Sequence, residues 1–185
     1  MAKTISFRFS ADKFVNAVAY FALKCPGMTK LKLCKLLFYA DKEHLLRYGR
    51  PIIGDQYYKL PYGPVPTRGF DILKGNSDSA EIALLEKYVS VVGMNIFPKR
   101  NPDRKVFSKS DIEIMEGTCA HYGHLSAMEL MKLSHKEPSW IKAGPSGLMD
   151  YELFFEGKPS SDPLRELTES EQETRDLLGQ FRAER

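Results

Sequence analysis

Residues 30–66 read KLKLCKLLFYADKEHLLRYGRPIIGDQYYKLPYGPVP, and the fold turns on this stretch. Thr29, just before it, has a side-chain oxygen suited to capping a helix. Apolar residues then recur through Tyr48, and Gly49 followed by Pro51 is the usual order of stop signals. The pattern predicts a helix over 30–48. Leu31, Leu33, Leu36, Leu37 and Phe38 leave little of its surface polar, which marks a core helix. Beyond Pro51 the periodicity breaks. Ile52-Ile53-Gly54-Asp55 reads as a turn and Gln56–Leu60 as a short extended segment. Pro61–Pro66 reads as a stiff loop, because each of its prolines fixes φ.

Upstream, Ser10 precedes Phe14, Val18, Phe21 and Ala22 at helical spacing, and Pro26-Gly27 ends the run, so a capped helix is expected over 11–25. Downstream, a short helix over 68–74 ends at Gly75-Asn76, and Ser79 begins another that carries Ile82, Leu85 and Glu86. Residues 89–97 and 104–107, rich in β-branched and aromatic types, predict a hairpin with the polar tip Lys99-Arg100-Asn101-Pro102-Asp103. Ser110 with Glu113, and Ser126 with Glu129, have the spacing of capping boxes for two further helices, the first reaching His121 and the second ending before Pro138. Residues 139–157 read as a segment closing over the domain. The expected fold is α+β and predominantly α-helical: one domain over 1–157 with about six helices and a small antiparallel β element. A charged, acidic tail follows over 158–185, in which Leu167, Leu177, Leu178 and Phe181 can share one helical face.

The chain has 185 residues, 43% of them hydrophobic and 28% charged, ordinary values for one globular domain. No apolar run approaches the roughly 20 residues that span a bilayer. The N-terminus carries charge where a signal peptide needs an apolar stretch, so a cytoplasmic location is expected. Three widely spaced cysteines, Cys25, Cys34 and Cys119, suit reduced core thiols better than a disulfide framework. A net charge of +3 does not by itself point to nucleic acid.

Candidates for chemistry are few. Cys119, His121 and His124 suggest zinc by residue type, but Cys119 and His121 diverge by about 200° on a helix of 3.6-residue period. No metal or cofactor is expected. Asp41 and His44 share a face of the second helix. They read either as a proton-transfer couple or, with greater weight, as a partly buried pair satisfying each other and the nearby loop. Phosphate-cradling, metalloprotease and nucleophile-elbow motifs are absent, so catalysis is not expected. The first two helices resemble a helix-turn-helix in outline, with Lys30, Lys32 and Lys35 at the second helix and a wing at Lys99, Arg100, Arg104 and Lys105. A DNA-binding regulator of a phage or mobile-element operon is therefore the alternative reading.

Lys32-Leu33-Cys34-Lys35-Leu36-Leu37-Phe38-Tyr39-Ala40-Asp41, then His44-Leu45, Gly49-Arg50-Pro51-Ile52 and Tyr62-Gly63-Pro64-Val65, resemble the Panacea, or SocA-like, antitoxin domain, also met in phage-associated GepA-like proteins. Leu133-Ser134-His135-Lys136-Glu137-Pro138-Ser139-Trp140 resembles that family's second motif. The likeness runs roughly from Phe14 to Tyr151. It implies the antitoxin of a type II toxin-antitoxin system, which neutralises the product of a neighbouring gene by direct contact. One branch of the family delivers its toxin to the ClpXP protease. The resemblance carries over Lys35, Asp41, His44, Gly49, Pro51, Tyr62, Gly63, Pro64, His135 and Trp140 as scaffold. Contact with the cognate toxin is expected at Tyr57, Tyr58 and Tyr62, at Lys99 and Arg100 on the hairpin tip, and at Phe181 in the tail. Nucleic acid is not expected to bind without that partner, and no membrane contact is expected.

Overall fold

In the computed structural model, which describes residues 5–144 and 147–156, every residue from Lys32 to Asp41 is buried. These residues belong to the central helix, α2 (Lys30–Tyr48), whose N-terminus is capped by Thr29. A helix covered on all sides must be surrounded. α1 (Ala11–Lys24), capped by Ser10, packs on it from one direction, and α5 (Lys109–Tyr122) and α6 (Ala127–Ser134) pack from others. The remaining helices are α3 (Thr67–Lys74), α4 (Ser79–Tyr88) and the short α7 (Pro138–Lys142). The architecture is thus a predominantly helical α+β domain, with seven α-helices among the described residues.

Two small antiparallel sheets complete it. Strands β1 (Tyr57–Leu60), β2 (Gly63–Pro66) and β5 (Leu148–Met149) form one in the order β2-β1-β5. Strands β3 (Val89–Val92) and β4 (Asn95–Pro98) form the other. The first sheet corrects the stiff loop expected over 61–66: Gly63–Pro66 is a strand, with Leu60 opposite Gly63 and Tyr57 opposite Pro66. Proline is tolerated there because β2 lies at the sheet edge. Thr67 N donates to Gln56 O, which sets the phase of the ladder, so Val65 faces β1 while the nitrogens of Pro64 and Pro66 turn outward.

The second hairpin is shorter than expected. Gly93, at φ 59°, and Met94 make the turn, so Lys99 and Arg100 follow β4 rather than forming a tip. Residues 104–106, expected as a partner strand, form a single 3₁₀ turn capped by Asp103. The capping box of α5 is Ser108 with Asp111, not Ser110 with Glu113, whereas Ser126 with Glu129 caps α6 as expected. Downstream of β5, the 3₁₀ turn Tyr151–Phe155 buries Tyr151, Phe154 and Phe155. Phe154 meets the Phe38 ring edge-on at 5.4 Å. No helix among the described residues is long and apolar enough to cross a membrane. The tail over 158–185, with Phe181, lies outside the described residues.

Candidate functional site

Three polar side chains of α2 reach out and hold the chain that follows. Asp41 accepts from the backbone N–H groups of Ile52 (2.8 Å) and Ile53 (3.0 Å) through one oxygen, and from the Tyr57 hydroxyl (3.0 Å) through the other. Burial pushes its carboxyl up to about 7, against the pull of those three donors. His44 Nδ1 lies 2.6 Å from Arg50 O, and its Nε2 lies 3.0 Å from both Ser110 Oγ and Asp111 Oδ1. Gly49 ends the helix by donating to Leu45 O, and Arg50 turns back to donate to Pro51 O. The Asp41-His44 couple is therefore corrected: the two are fully buried rather than partly so, and each serves a different part of the loop instead of its neighbour.

Lys35, also fully buried, donates to Pro64 O at 2.8 Å and so fastens the proline strand to the central helix. Burial lowers its ammonium to about 8. Gly63 is wedged beside it with φ +94°. A Cβ there would stand 2.5 Å from Ser134 Oγ and 2.7 Å from Lys35 Cε, and both side chains are held by hydrogen bonds of their own, to Met131 O and Pro64 O. Gly63→Ala is therefore expected to lower the unfolding free energy by about 2–3 kcal/mol, read as a urea-midpoint shift, because overpacking adds to an unfavourable φ.

The helix-turn-helix reading is not supported by this geometry. Lys32 is buried and donates to Pro26 O and Gly123 O, and Lys35 is spent on Pro64, so neither can face a phosphate. No group of three or more potential metal-ligating side chains occurs among the described residues. Cys119 meets Cys25, and His121 packs against the Tyr122 ring. A cleft beside Arg8, Lys13 and Arg50 has its charge blunted, since Asp111 pairs with both Lys13 and Arg50.

On this frame the two sequence motifs converge. Trp140 stacks on His135 with ring centroids 4.1 Å apart, and the Lys59 ammonium sits 4.4 Å from the indole centroid while donating to Ile141 O. The β1–β2 turn thereby stands beside α7. The result is a shallow groove lined by Leu60, Pro61, Trp140 and Ala143, and the elements that flank it carry the exposed side chains of Leu60 (42%), Tyr62 (62%) and Ile141 (56%). Exposed apolar and aromatic groups beside a groove commonly mark sites of protein contact.

Of the expected contact residues that the structure describes, only Tyr62 lies on the elements that flank this groove. Tyr57 is 1% exposed and its hydroxyl is spent on Asp41, so it is core; Tyr58 is half-buried between Val65 and Leu148. Lys99 and Arg100 are exposed but follow the other sheet, where Lys99 donates to Glu86 O. Phe181 lies outside the described residues. Leu60, Lys59 and Ile141 escape the sequence reading, although Lys59-Leu60 precedes and Ile141 follows a motif residue. Asp55 escapes it as well: expected only as part of a turn, it accepts from the N–H groups of Arg68 and Gly69 and so anchors the start of α3.

A family model described as antitoxin SocA-like, Panacea domain matches residues 33–141. No curated protein and no solved structure matches the chain. The matched span runs from the first turn of α2 to Ile141. It takes in the buried anchors Lys35, Asp41, His44 and Asp55, together with Leu60, Pro61, Tyr62 and Trp140.

Proposed function

The chain belongs to the antitoxin SocA-like, Panacea domain family, and from that premise we propose that it binds and neutralises a toxin encoded by a neighbouring gene. The observation that carries this reading is the set of exposed side chains, Leu60, Tyr62 and Ile141, on the two elements that Lys59 joins, the β1–β2 hairpin and α7. Lys35, Asp41 and His44 hold the hairpin and loop in place from within. Trp140, pinned between His135 and Lys59, fixes the groove floor before any partner arrives, which lowers the ordering cost of association. The protein acts by binding rather than by catalysis. Its Asp41-His44 couple is sealed from solvent and committed to backbone and core partners, which supports that reading.

Neutralisation by direct contact makes two demands. Expressed alone, the neighbouring open reading frame arrests growth; with this chain present, growth returns while the level of the toxin stays constant. A harmless neighbour, or arrest that persists in the presence of this chain, would overturn the proposal. A fall in toxin level that depends on ClpXP would place the chain with the protease-adaptor branch instead. Tyr62→Ala is expected to weaken the complex by about fivefold or more, since tyrosine is enriched among the interface residues whose truncation costs over about 1 kcal/mol. Pull-down at graded concentrations reads that loss.

A further inference from the structure

Cys25 and Cys119 are separated by 94 positions in the sequence, yet their sulfurs lie 3.1 Å apart. Cys25 is the C-cap of α1, where its backbone N–H donates to Phe21 O; Cys119 sits on the last turn of α5. The surroundings hold them together. Lys32 Nζ donates to Pro26 O and Gly123 O, tying the turn after α1 to the end of α5. A Cβ on Gly123 would stand 2.9 Å from Cys25 Sγ, so glycine leaves the space that the sulfur fills. Cys25 is buried and Cys119 is partly open to solvent. The hydrogen bond with Cys119 lowers the Cys25 thiol, burial opposes that shift, and the nearby Lys32 charge reinforces it. Cys34 differs: it is enclosed on α2 and pushed up to about 11 by burial.

We propose that Cys25 and Cys119 are an oxidant-responsive dithiol, which closes to an intramolecular disulfide in the folded protein and staples α1 to α5. A disulfide holds its sulfurs about 2.05 Å apart, so the two must approach by roughly 1 Å. With hydrogen peroxide as oxidant, one sulfur attacks the O–O bond. An S–O bond forms, and the expelled hydroxide takes up a proton to become water. The second sulfur then displaces the hydroxyl from the sulfenic acid, forming the S–S bond and releasing a second water. Two thiols have lost two electrons and two protons, and one peroxide has been reduced. The closed loop restricts the unfolded chain far more than the folded one, so the thermal midpoint of the oxidised protein rises by roughly 5–10 °C.

The test uses the full chain, treated with hydrogen peroxide, then denatured, alkylated with iodoacetamide and weighed by mass spectrometry. The expected product has lost two hydrogens and takes up a single alkyl group, at Cys34. It yields one tryptic species joining the Cys25 and Cys119 peptides, and dithiothreitol reverses the change. The joined species is absent from Cys119→Ser, and the wild-type readout stands without that variant. Alkylation at all three cysteines, over-oxidation of Cys119 alone, a bond to Cys34, or a covalent dimer would each overturn the proposal.

Discussion

Asp41→Ala is expected to lower the unfolding free energy by about 3–5 kcal/mol, whereas Asp41→Asn is expected to stay within about 1 kcal/mol of the wild type. The alanine leaves the N–H groups of Ile52 and Ile53 and the Tyr57 hydroxyl buried with nothing to accept from them, besides a cavity beside Tyr57. The asparagine keeps an oxygen for the two N–H groups, and its amide can donate to the Tyr57 oxygen, so the network reverses one bond and loses none. The wild type and Asp41→Asn also separate by pH. Burial lifts the Asp41 carboxyl from 3.8 to about 7, so between those values the folded protein holds a proton that the unfolded chain has released. The contribution of Asp41 to stability therefore falls as pH rises from about 4 to 7 and levels off above, while the asparagine side chain, which does not titrate, has no such dependence. Urea midpoints at pH 5 and pH 8 should show Asp41→Asn gaining on the wild type at the higher pH. Parallel behaviour of the two proteins would contradict the assignment.

Asp111→Asn is expected to cost about 3 kcal/mol, because it removes the carboxylate that faces three basic groups. The Asp111 carboxylate lies 2.7 Å from Lys13 Nζ, 2.9 Å from Arg50 Nη2 and 3.0 Å from His44 Nε2, and it accepts from Ser108 N within the capping box. Breaking a fully buried pair costs about 3–5 kcal/mol. The Lys13 and Arg50 side chains are partly hydrated, which places this loss at the lower end. Here pH acts in the opposite sense from Asp41. Burial alone would raise the Asp111 carboxyl, but the His44, Lys13, Ser108 and Arg50 groups outweigh it and hold the carboxyl well below its usual 3.8. Its contribution is complete above the unfolded value and is lost as pH falls below about 4. Acid titration of stability should show that loss in the wild type and not in Asp111→Asn.

The central helix is legible in the sequence because its signals are local: a threonine cap, an apolar run, then glycine and proline. What Asp41 does is not legible there, since it depends on where Ile52 and Ile53 return after the turn, and no spacing rule encodes that return. The proline stretch misleads for a definite reason. Proline removes a donor, which argues against a central strand, but at a sheet edge the missing donor faces outward and costs nothing. The second hairpin reads as too long because Gly93 sits within an otherwise apolar run, where its turn is easily hidden; without that turn, Lys99 and Arg100 fall at a tip they do not occupy. The motifs likewise mark Tyr62 and Trp140 without showing that the hairpin of the first stands beside the helix of the second. That adjacency is created by the Lys59 contacts to Trp140 and Ile141, between residues more than 80 positions apart.

The claim that this surface receives the partner is tested most directly by titrating the purified product of the neighbouring open reading frame with the full chain and with the double variant Tyr62→Asp, Ile141→Asp. Both side chains are exposed and hold no part of the core, so the thermal midpoint should not move. Affinity should fall by about 100-fold or more, the effect of burying two unpaired charges in an interface. A folded double variant that binds its partner as tightly as the wild type would contradict the account.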